Sequence, residues 1–238
     1  MNLYYLPAAV HVCATVDGLV FLDIARDKYI GFSGQCPCAL HGTVENWPKC
    51  HLHPNTPSIA SEVERSEAIQ QLIAQGLLTT TTNGLSCNPS RGVAMAPTDS
   101  LMSRDIGRPS ISCRHVIHFL RSWAYASWIL RYRSLQAAVE SVRKRKHPWE
   151  LDAAETERTV NLVKVFMTAR SFFFSSNDKC LLNALALVTF LSYYKQFPDW
   201  MIGVRTNPFS AHSWVQHRDI LFDDTLEKIC EYRTIFSV

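Results

Sequence analysis

The sequence predicts an α+β protein in two parts, in which a small sheet and a helix precede a helical region and a second sheet. Residues 10–33 are rich in β-forming side chains, and the turn signal Asp17-Gly18 divides them. Residues 113–197 carry apolar side chains at helical spacing, and short β-rich segments follow from residue 200 onward. Helices followed by antiparallel strands are typical of the α+β class.

The composition is that of a folded globular protein, since 47% of the 238 residues are hydrophobic and 19% are charged. The formal net charge of +3 lacks the one-sided basic excess of nucleic-acid-binding proteins, so we expect no nucleic-acid partner. The longest apolar segment, residues 116–130, contains His118 and Arg121, so we expect no membrane span. The N-terminus lacks the basic start of a signal peptide. We therefore expect a cytoplasmic protein whose eight cysteines stay reduced.

The N-terminal part is predicted to form a three-stranded meander followed by a helix. The strands are expected at 10–16, 19–24 and 28–33. Apolar residues at helical spacing predict a helix over 59–80, and Gly76 marks its end. A short strand is expected in the segment LLTTTT that follows. This succession of elements is typical of a small winged-helix-like domain.

Residues 34–58 hold a group of thiol and imidazole side chains, among prolines that prevent a long helix. The group consists of Cys36, Cys38, His41, Cys50, His51 and His53. Such side chains can bind zinc, but their spacing matches none of the common zinc patterns. We predict no metal here, and a metal site in this segment stays open as the alternative.

Residues 82–112 are rich in Ser, Gly, Pro and Asn and show no sustained periodicity, which predicts a linker between two domains. We place the first domain at 1–84, the linker at 85–108 and the second domain at 109–238. The domain boundaries follow from this change of composition alone.

The second domain is predicted to begin with one continuous helix over 113–146 and another over 150–174. A third helix, over 175–197, is apolar on most faces, as expected for a buried central helix. Asn177 and Asp178 are available to cap its N-terminus.

Cys180 falls in the first turn of this central helix. The helix dipole and the free N–H groups at such a position favour the thiolate and lower the pKa of the thiol. The thiolate is the reactive form in nucleophilic catalysis, so Cys180 is the candidate nucleophile. The cysteines interpreted as ordinary packing residues are Cys13, Cys87, Cys113 and Cys230.

His212 and Asp224 are predicted to face each other across a hairpin that turns at Arg218-Asp219, because the two lie equally far from residue 218. His212 would act as the base, and Asp224 would fix the tautomer of its imidazole. Asp223 competes with Asp224, but alternation along a strand leaves only one of the two facing inward. His217 competes weakly with His212, since five residues of separation place it on the opposite face.

Three segments of the C-terminal half together resemble the lasso peptide B proteins, a family of transglutaminase-like cysteine peptidases. They are DKCLLNALALVTFL at 178–191, IGVRTNPFSAHSWVQ at 202–216 and LFDD at 221–224. The resemblance implies a transglutaminase/papain-like domain with a catalytic triad of Cys180, His212 and Asp224. Gln216 departs from the family pattern, which usually carries Glu after a His-Ala-Trp-Val segment, here His212-Ser213-Trp214-Val215.

The N-terminal meander and helix look like the PqqD-like precursor recognition domain that is fused to many of these peptidases. The resemblance implies that a leader peptide adds as a strand to the edge of the meander and contacts the following helix. The residues expected to bind the leader are Lys28, Tyr29, Ile30, Gly31, Phe32, Ile69 and Leu72.

By this resemblance, the protein is a bacterial leader peptidase that cuts a lasso precursor between leader and core. The released core amine then passes to a partner cyclase resembling asparagine synthetase. The cyclase uses ATP, and the peptidase needs no cofactor of its own. Two alternatives stay open. One is transglutaminase-type acyl transfer on the same triad, and the other is a non-catalytic peptide-binding scaffold.

Overall fold

A computed structural model of the chain describes residues 4–33, 40, 43–44, 47–48, 62–80, 95–103, 109–173 and 179–238. The cysteine and histidine group at 36–53, Cys87, and the expected caps Asn177 and Asp178 lie outside those residues. Within the described residues, no cluster of His, Cys, Asp and Glu is arranged to hold a metal ion. None of the described helices has the length and apolar character needed to cross a membrane.

The chain divides into two compact units. The first comprises Met1–Val93, Val204–Ser210 and Arg233–Phe236, and the second comprises Ala94–Gly203, Ala211–Tyr232 and Ser237–Val238. The functional boundaries at 1–84, 85–108 and 109–238 stay predictions.

The predicted meander is present in the first unit. It consists of β1 (Val10–Thr15), β2 (Gly18–Asp23) and β3 (Lys28–Ser33). Both pairings are antiparallel, with Thr15 opposite Gly18 and Asp23 opposite Lys28. The strand order is β1-β2-β3, so β3 is an edge strand of this sheet. The winged-helix-like assignment itself stays a prediction.

The helix α1 (Glu62–Ala74) follows and ends where Gly76 was expected to end it. Gly76 has a φ of +73°, and the N–H of Leu77 donates to the carbonyl of Leu72 at 2.8 Å, as in a glycine-terminated helix. Beyond it, Thr79 forms a single antiparallel bridge with Tyr5 instead of a longer described strand.

Ile69 and Leu72 of α1 were expected to touch a leader peptide, but both are core residues in the structure. Ile69 is 7% exposed and Leu72 is 0% exposed. They pack in one hydrophobic cluster with the inward faces of β1 and β2 and with Trp47. Their contact with a leader peptide stays a prediction, and it would involve side chains that are almost wholly buried in this structure.

Part of the segment predicted as a linker forms secondary structure and belongs to the second unit. Strand β4 (Asp99–Ser100) and a 3-10 turn at Leu101–Ser103 lie within it. The N–H of Thr98 donates to the carbonyl of Asp219 at 2.8 Å, a contact across 121 residues. Such a two-residue strand leaves no periodic pattern, which is why composition suggested a linker.

The helix predicted over 113–146 is two helices, α2 (Cys113–Tyr132) and α3 (Leu135–Arg145). The chain is extended at Arg133 and Ser134, and the Ser134 hydroxyl accepts a hydrogen bond from the N–H of Ala137 at 3.2 Å. Serine is a favoured N-cap, so it starts a new helix here. The apolar pattern continues across the break, which explains the prediction of a single helix.

Helix α4 (Ala153–Phe173) confirms the prediction for this region, and α5 (Cys180–Ser192) is the expected central helix. Residues 183–191 of α5 are all buried. A helix that is apolar all round can be stable only when other elements cover each face. Helix α2 packs along α5, and α3 and α4 also contact it.

The C-terminal sheet has five strands in the order β4-β7-β6-β5-β8. The remaining elements are β5 (Asp199–Thr206), β6 (Phe209–His217), β7 (Ile220–Leu221), the short helix α6 (Leu226–Ile229) and β8 (Arg233–Ser237). Strand β7 is antiparallel to β6 and parallel to β4.

The register of the β6–β7 hairpin differs by one residue from the predicted one. His217 lies opposite Ile220 and Gln216 opposite Leu221, so paired residue numbers sum to 437 instead of 436. The ladder also ends at Leu221, and Asp224 follows in a bend. Asp224 is therefore not a strand residue facing His212, and other contacts must position it.

Gly203 in β5 lies against the indole of Trp214 in the neighbouring strand. A Cβ atom at position 203 would come within 2.7 Å of two ring carbons of Trp214. Trp214 is 1% exposed, so its ring has no free space to move into.

We expect Gly203→Ala to lower the free energy of unfolding by about 1–3 kcal/mol, because the added methyl group overpacks the core. Urea unfolding followed by circular dichroism measures the effect. Gly31→Ala is the matched control, since a Cβ there meets no atom within 4 Å. Equal stability of the two variants would contradict the packing described here.

Candidate active site

Cys180 is the first residue of the central helix α5. The N-cap is Lys179, which makes no side-chain capping bond. The side chain of Cys180 is partly buried at the end of a helix whose body is wholly buried. The helix dipole therefore acts on a thiol that is partly shielded from water, which strengthens the interaction.

His212 is held in β6 with an exposure of only 8%. Its ring stacks on Trp214, with a centroid distance of 6.2 Å, and lies 5.2 Å from the ring of Tyr232. Trp200 donates from Nε1 to the Ser213 hydroxyl at 2.7 Å, and that hydroxyl donates to the carbonyl of Met201 at 2.9 Å. These contacts fix the backbone beside His212.

Asp224 accepts a hydrogen bond from His212. The Nε2 atom of His212 and Oδ2 of Asp224 are 2.5 Å apart. Asp224 also accepts from Nζ of Lys228 at 2.9 Å and from the backbone N–H of Thr225 at 3.0 Å. The hydroxyl of Ser100 donates to the Asp224 carbonyl at 2.8 Å, which anchors the bend. Because Nε2 is occupied by Asp224, Nδ1 is the nitrogen of His212 left for the thiol.

The three side chains shift one another toward an ion pair. Burial raises the pKa of Cys180, but hydrogen bonds from His212 and from the backbone of Ser213 outweigh it, and the net pKa is lowered. Burial lowers the pKa of His212, whereas its hydrogen bonds to Asp224 and Cys180 raise it, and the result is about 9. Both shifts favour a thiolate on Cys180 beside an imidazolium on His212, which is the reactive pair of cysteine catalysis.

The two neighbouring aspartates have opposite environments. Burial raises the pKa of Asp224, but its bonds to His212 and Lys228 hold it below the ordinary value. Burial raises the pKa of Asp223 to about 7, and its carboxyl group accepts from the N–H of Val215 at 2.8 Å. Asp223 thus has a backbone partner of its own, and Asp224 is the carboxylate that contacts His212.

His217 lies apart from this group, as the strand periodicity predicted. Its ring packs 4.6 Å from the ring of Trp149. The pKa of His217 is lowered, mainly by burial of the ring. His217 is therefore a neutral packing residue at neutral pH, at the end of β6 that is remote from His212.

Sequence reasoning missed two residues that position Asp224. Lys228 stands four residues after Asp224, and this spacing across the start of α6 could have suggested the pair. Ser100 lies 124 residues before Asp224, and nothing local in the sequence indicates their contact. The contact between Ser100 and Asp224 can be recognised only in the assembled sheet.

Gln216 is 2% exposed, and both atoms of its side-chain amide form hydrogen bonds. Its Oε1 accepts from Nε1 of Trp214 at 3.0 Å. Its Nε2 donates to the carbonyl of Met95 at 2.6 Å and to the carbonyl of Arg218. Every second residue of a strand lies on the same face, so His212, Trp214 and Gln216 share one face of β6. Gln216 therefore holds the indole of Trp214, which stacks on His212.

The residues expected to bind a leader lie in the first unit. Lys28 and Gly31 of β3 are exposed, and Tyr29, Ile30 and Phe32 are partly buried. Ile30 and Phe32 pack against the core cluster that contains Ile69 and Leu72. Lys28 and Gly31 are thus the exposed members of the residues expected to bind a leader.

The reactivity of Cys180 is expected to persist at lower pH than that of an ordinary thiol, because its pKa is lowered from 9.0 by His212. His212→Gln removes this effect, and we expect alkylation by iodoacetamide at pH 6.5 to slow roughly tenfold or more, since each pKa unit changes the thiolate fraction about tenfold. Mass spectrometry of the Cys180 peptide, followed over time, gives the rate.

His217→Gln is the matched control for that measurement, because it removes a histidine of the same strand without touching Cys180. Its alkylation profile should follow that of the unmodified protein. Identical profiles for His212→Gln and the unmodified protein would exclude His212 as the partner of the thiol.

We expect Gln216→Glu to destabilise the fold by about 2 kcal/mol at neutral pH, because a carboxylate would face two carbonyl oxygens without a proton to donate. The loss should shrink in acid, where the carboxyl group carries a proton. Urea midpoints between pH 5 and 8 measure it, with Gln70→Glu on the exposed face of α1 as the control. A Gln216→Glu protein as stable as the control would refute the hydrogen-bond network described.

Comparison with known families agrees with this geometry. The family model of the transglutaminase-like superfamily matches residues 119–237, which is 119 of 238 residues and so half of the chain. The match runs from within α2 to the end of β8 and contains Cys180, His212 and Asp224. No curated protein and no solved structure matched the chain. This chain belongs to the transglutaminase-like superfamily.

Proposed function

We propose that this protein is a cysteine peptidase of lasso peptide maturation, which cuts the bond between the leader and the core of a precursor peptide. The observation that carries the proposal is the convergence of Cys180 at the start of α5 with the hydrogen-bonded pair His212 and Asp224. Membership of the transglutaminase-like superfamily supports a cysteine peptidase or an acyltransferase. The resemblance of three segments to the lasso peptide B proteins favours the peptidase.

The proposed reaction follows from the ion pair. The Cys180 thiolate attacks the scissile carbonyl carbon, and an S–C bond forms. The imidazolium of His212 then gives its proton to the leaving nitrogen, the C–N bond breaks, and the core peptide departs with a free amine. Water, deprotonated by His212, hydrolyses the thioester and releases the leader acid. The backbone N–H of Cys180, at the helix start, is our candidate donor to the oxyanion.

Asp224 serves this cycle as the positioning residue of His212. It holds Nε2 through the 2.5 Å contact and favours the protonated imidazole. Lys228 and Ser100 hold Asp224 in turn. The carboxylate is thereby kept in place without being a residue of the regular strand.

The leader is proposed to bind the first domain, 1–84, as an added strand along β3. Strand β3 is an edge of its sheet, and Lys28, Tyr29, Ile30, Gly31 and Phe32 form it together with Ser33. Main-chain hydrogen bonds would provide affinity, and side-chain contacts would provide selectivity. Tethering of the leader would raise the local concentration of the scissile bond at the second domain, 109–238.

The reaction is proposed to take place in the bacterial cytoplasm. The core amine passes to a partner cyclase that resembles asparagine synthetase and consumes ATP. The peptidase uses no cofactor. We expect neither a membrane span nor a nucleic-acid partner.

Two other activities are compatible with parts of the molecule. In acyl transfer, an amine instead of water would accept the acyl group from Cys180. As a non-catalytic scaffold, the protein would bind a peptide without cleaving it. The raised pKa of His212 and the lowered pKa of Cys180 favour a reaction over a scaffold.

Incubation with a lasso precursor peptide, with and without the cyclase, tests the proposal. The expected products are free leader and free core, identified by mass spectrometry. Cys180→Ala should lower the rate by more than about 10⁴-fold, as is common for catalytic nucleophiles, while leader binding is preserved.

Cys113→Ala is the matched control, since Cys113 also opens a long helix but is exposed and was interpreted as a non-catalytic residue. Its activity should stay within about twofold of the unmodified protein. A leader joined to an added amine would identify an acyltransferase, and a stable complex without products would identify a scaffold. Full cleavage by Cys180→Ala would exclude the mechanism.

A further inference from the structure

A cavity of about 710 Å³ lies at the end of α5 that is remote from Cys180. Its walls come from the start of α2, the middle of α4 and the turn after α5. Arg114, His115, Arg158, Tyr193, Tyr194 and Lys195 are among the lining residues. Helix α5 has 13 residues, and at 1.5 Å per residue the cavity lies about 20 Å from the thiol. The cavity thus belongs to the second unit but not to the site around Cys180.

The lining of this cavity is positively charged. Three of its residues are Arg114, Arg158 and Lys195, and none of the lining residues is acidic. Arg158 forms an ion pair with Glu155, with 3.1 Å between Nη1 of Arg158 and Oε1 of Glu155. Among the described residues, Arg114 and Lys195 form no ion pair with a carboxylate. Within the described part of the chain, these two positive charges at the cavity therefore lack a counterion.

The N-terminus of α2 adds donors to the same wall. Ser112 and His115 cap each other reciprocally, since the Ser112 N–H donates to Nδ1 of His115 and the His115 N–H donates to the Ser112 hydroxyl. The next N–H groups, those of Cys113 and Arg114, are among the first four of the helix, which lack partners within it. Nδ1 of His115 is an acceptor, so Nε2 is the nitrogen that can donate toward a ligand.

The hydroxyl group of Tyr194 is an independent observation that points to a ligand at this cavity. Its side chain is 8% exposed, and its hydroxyl group has no hydrogen-bond partner in the described part of the chain. Its ring lies 5.8 Å from the guanidinium carbon of Arg114 and 5.8 Å from the ring of His115. A buried hydroxyl without a partner costs free energy, which an acceptor in the cavity would recover.

Lys195 stands in a backbone conformation that favours glycine. Its φ is +61°, and the N–H of Gln196 donates to the carbonyl of Leu191 at 3.1 Å, which makes Lys195 the residue that ends α5. Glycine is the common choice at this position because other side chains are strained there. Strain that is retained at a cavity rim is a feature of binding sites.

We propose that this cavity is a binding site for a phosphate-bearing small molecule. Arginine, lysine, a helix N-terminus and a hydroxyl donor are the groups that bind phosphate oxygens in proteins. The set offers more donors than the two oxygens of a carboxylate can accept, which favours a phosphate group. The volume lies within the range of small-molecule sites, so an organic part can rest beside Tyr193 and Tyr194.

The test measures binding to the full chain, without turnover. Inorganic phosphate, ATP and succinate are titrated separately, with isothermal titration calorimetry and thermal unfolding as readouts. Phosphate and ATP should bind and raise the melting temperature, and succinate should not. Tighter binding of ATP than of phosphate would locate contacts to the organic part, whereas equal affinities would assign the site to the phosphate group alone.

Three substitutions separate binding from folding. Arg114→Gln should weaken phosphate binding about tenfold, as expected for loss of a charged hydrogen bond. Lys195→Gly should weaken binding and yet raise the melting temperature without ligand, because glycine relieves the backbone strain. Tyr194→Phe should weaken binding without lowering the melting temperature of the free protein, since it removes only the unpaired hydroxyl.

Arg143→Gln, on the exposed end of α3, is the control and should bind phosphate like the unmodified protein. Several outcomes would overturn the proposal: no binding of either phosphate compound, equal binding in all variants, or succinate binding as tight as phosphate binding. None of them bears on Cys180, because the readouts do not depend on catalysis.

Discussion

The hydrogen bond between His212 and Asp224 is the contact on which the reactive centre depends. It spans 2.5 Å and is largely shielded from water. Together with the hydrogen bond to Cys180, it raises the pKa of His212 to about 9 against the effect of burial. A protonated His212 in turn lowers the pKa of Cys180. Without the carboxylate, burial would favour a neutral imidazole and a neutral thiol. The charge of Asp224 in a bend therefore acts through His212 on the pKa of Cys180 at the start of α5.

This dependence explains the packing around β6. Trp214 stacks on His212, and its indole is confined on one side by Gly203 and hydrogen-bonded on the other by Gln216. A ring that cannot move keeps the imidazole between Asp224 and the thiol. Catalysis of this kind requires that the reacting groups be held to within a fraction of an ångström, so a rigid core beneath them is a functional necessity.

Helix α5 connects the site around Cys180 with the basic cavity of the second unit. Its N-terminus presents Cys180, its buried body is packed on every face, and its C-terminal turn presents Lys195 at the basic cavity. The polarity of the helix suits the first site, because its positive end stabilises the thiolate. At the other end, the positive charge comes from Lys195 and from the start of α2, whose N-terminus also carries a positive partial charge.

Local patterns in the sequence were sufficient to predict the meander, the positions of most helices, the placement of Cys180 at a helix start and the approach of His212 and Asp224. These features depend on periodicity and on turns within a few residues of each other. The break at Ser134 was missed because the apolar pattern continues through it. The tertiary structure alone decided the one-residue shift of the hairpin, the anchoring of Asp224 by Ser100, the burial of Ile69 and Leu72, and the basic cavity. Each of these depends on contacts between residues far apart in the chain, which leave no periodic trace in the sequence.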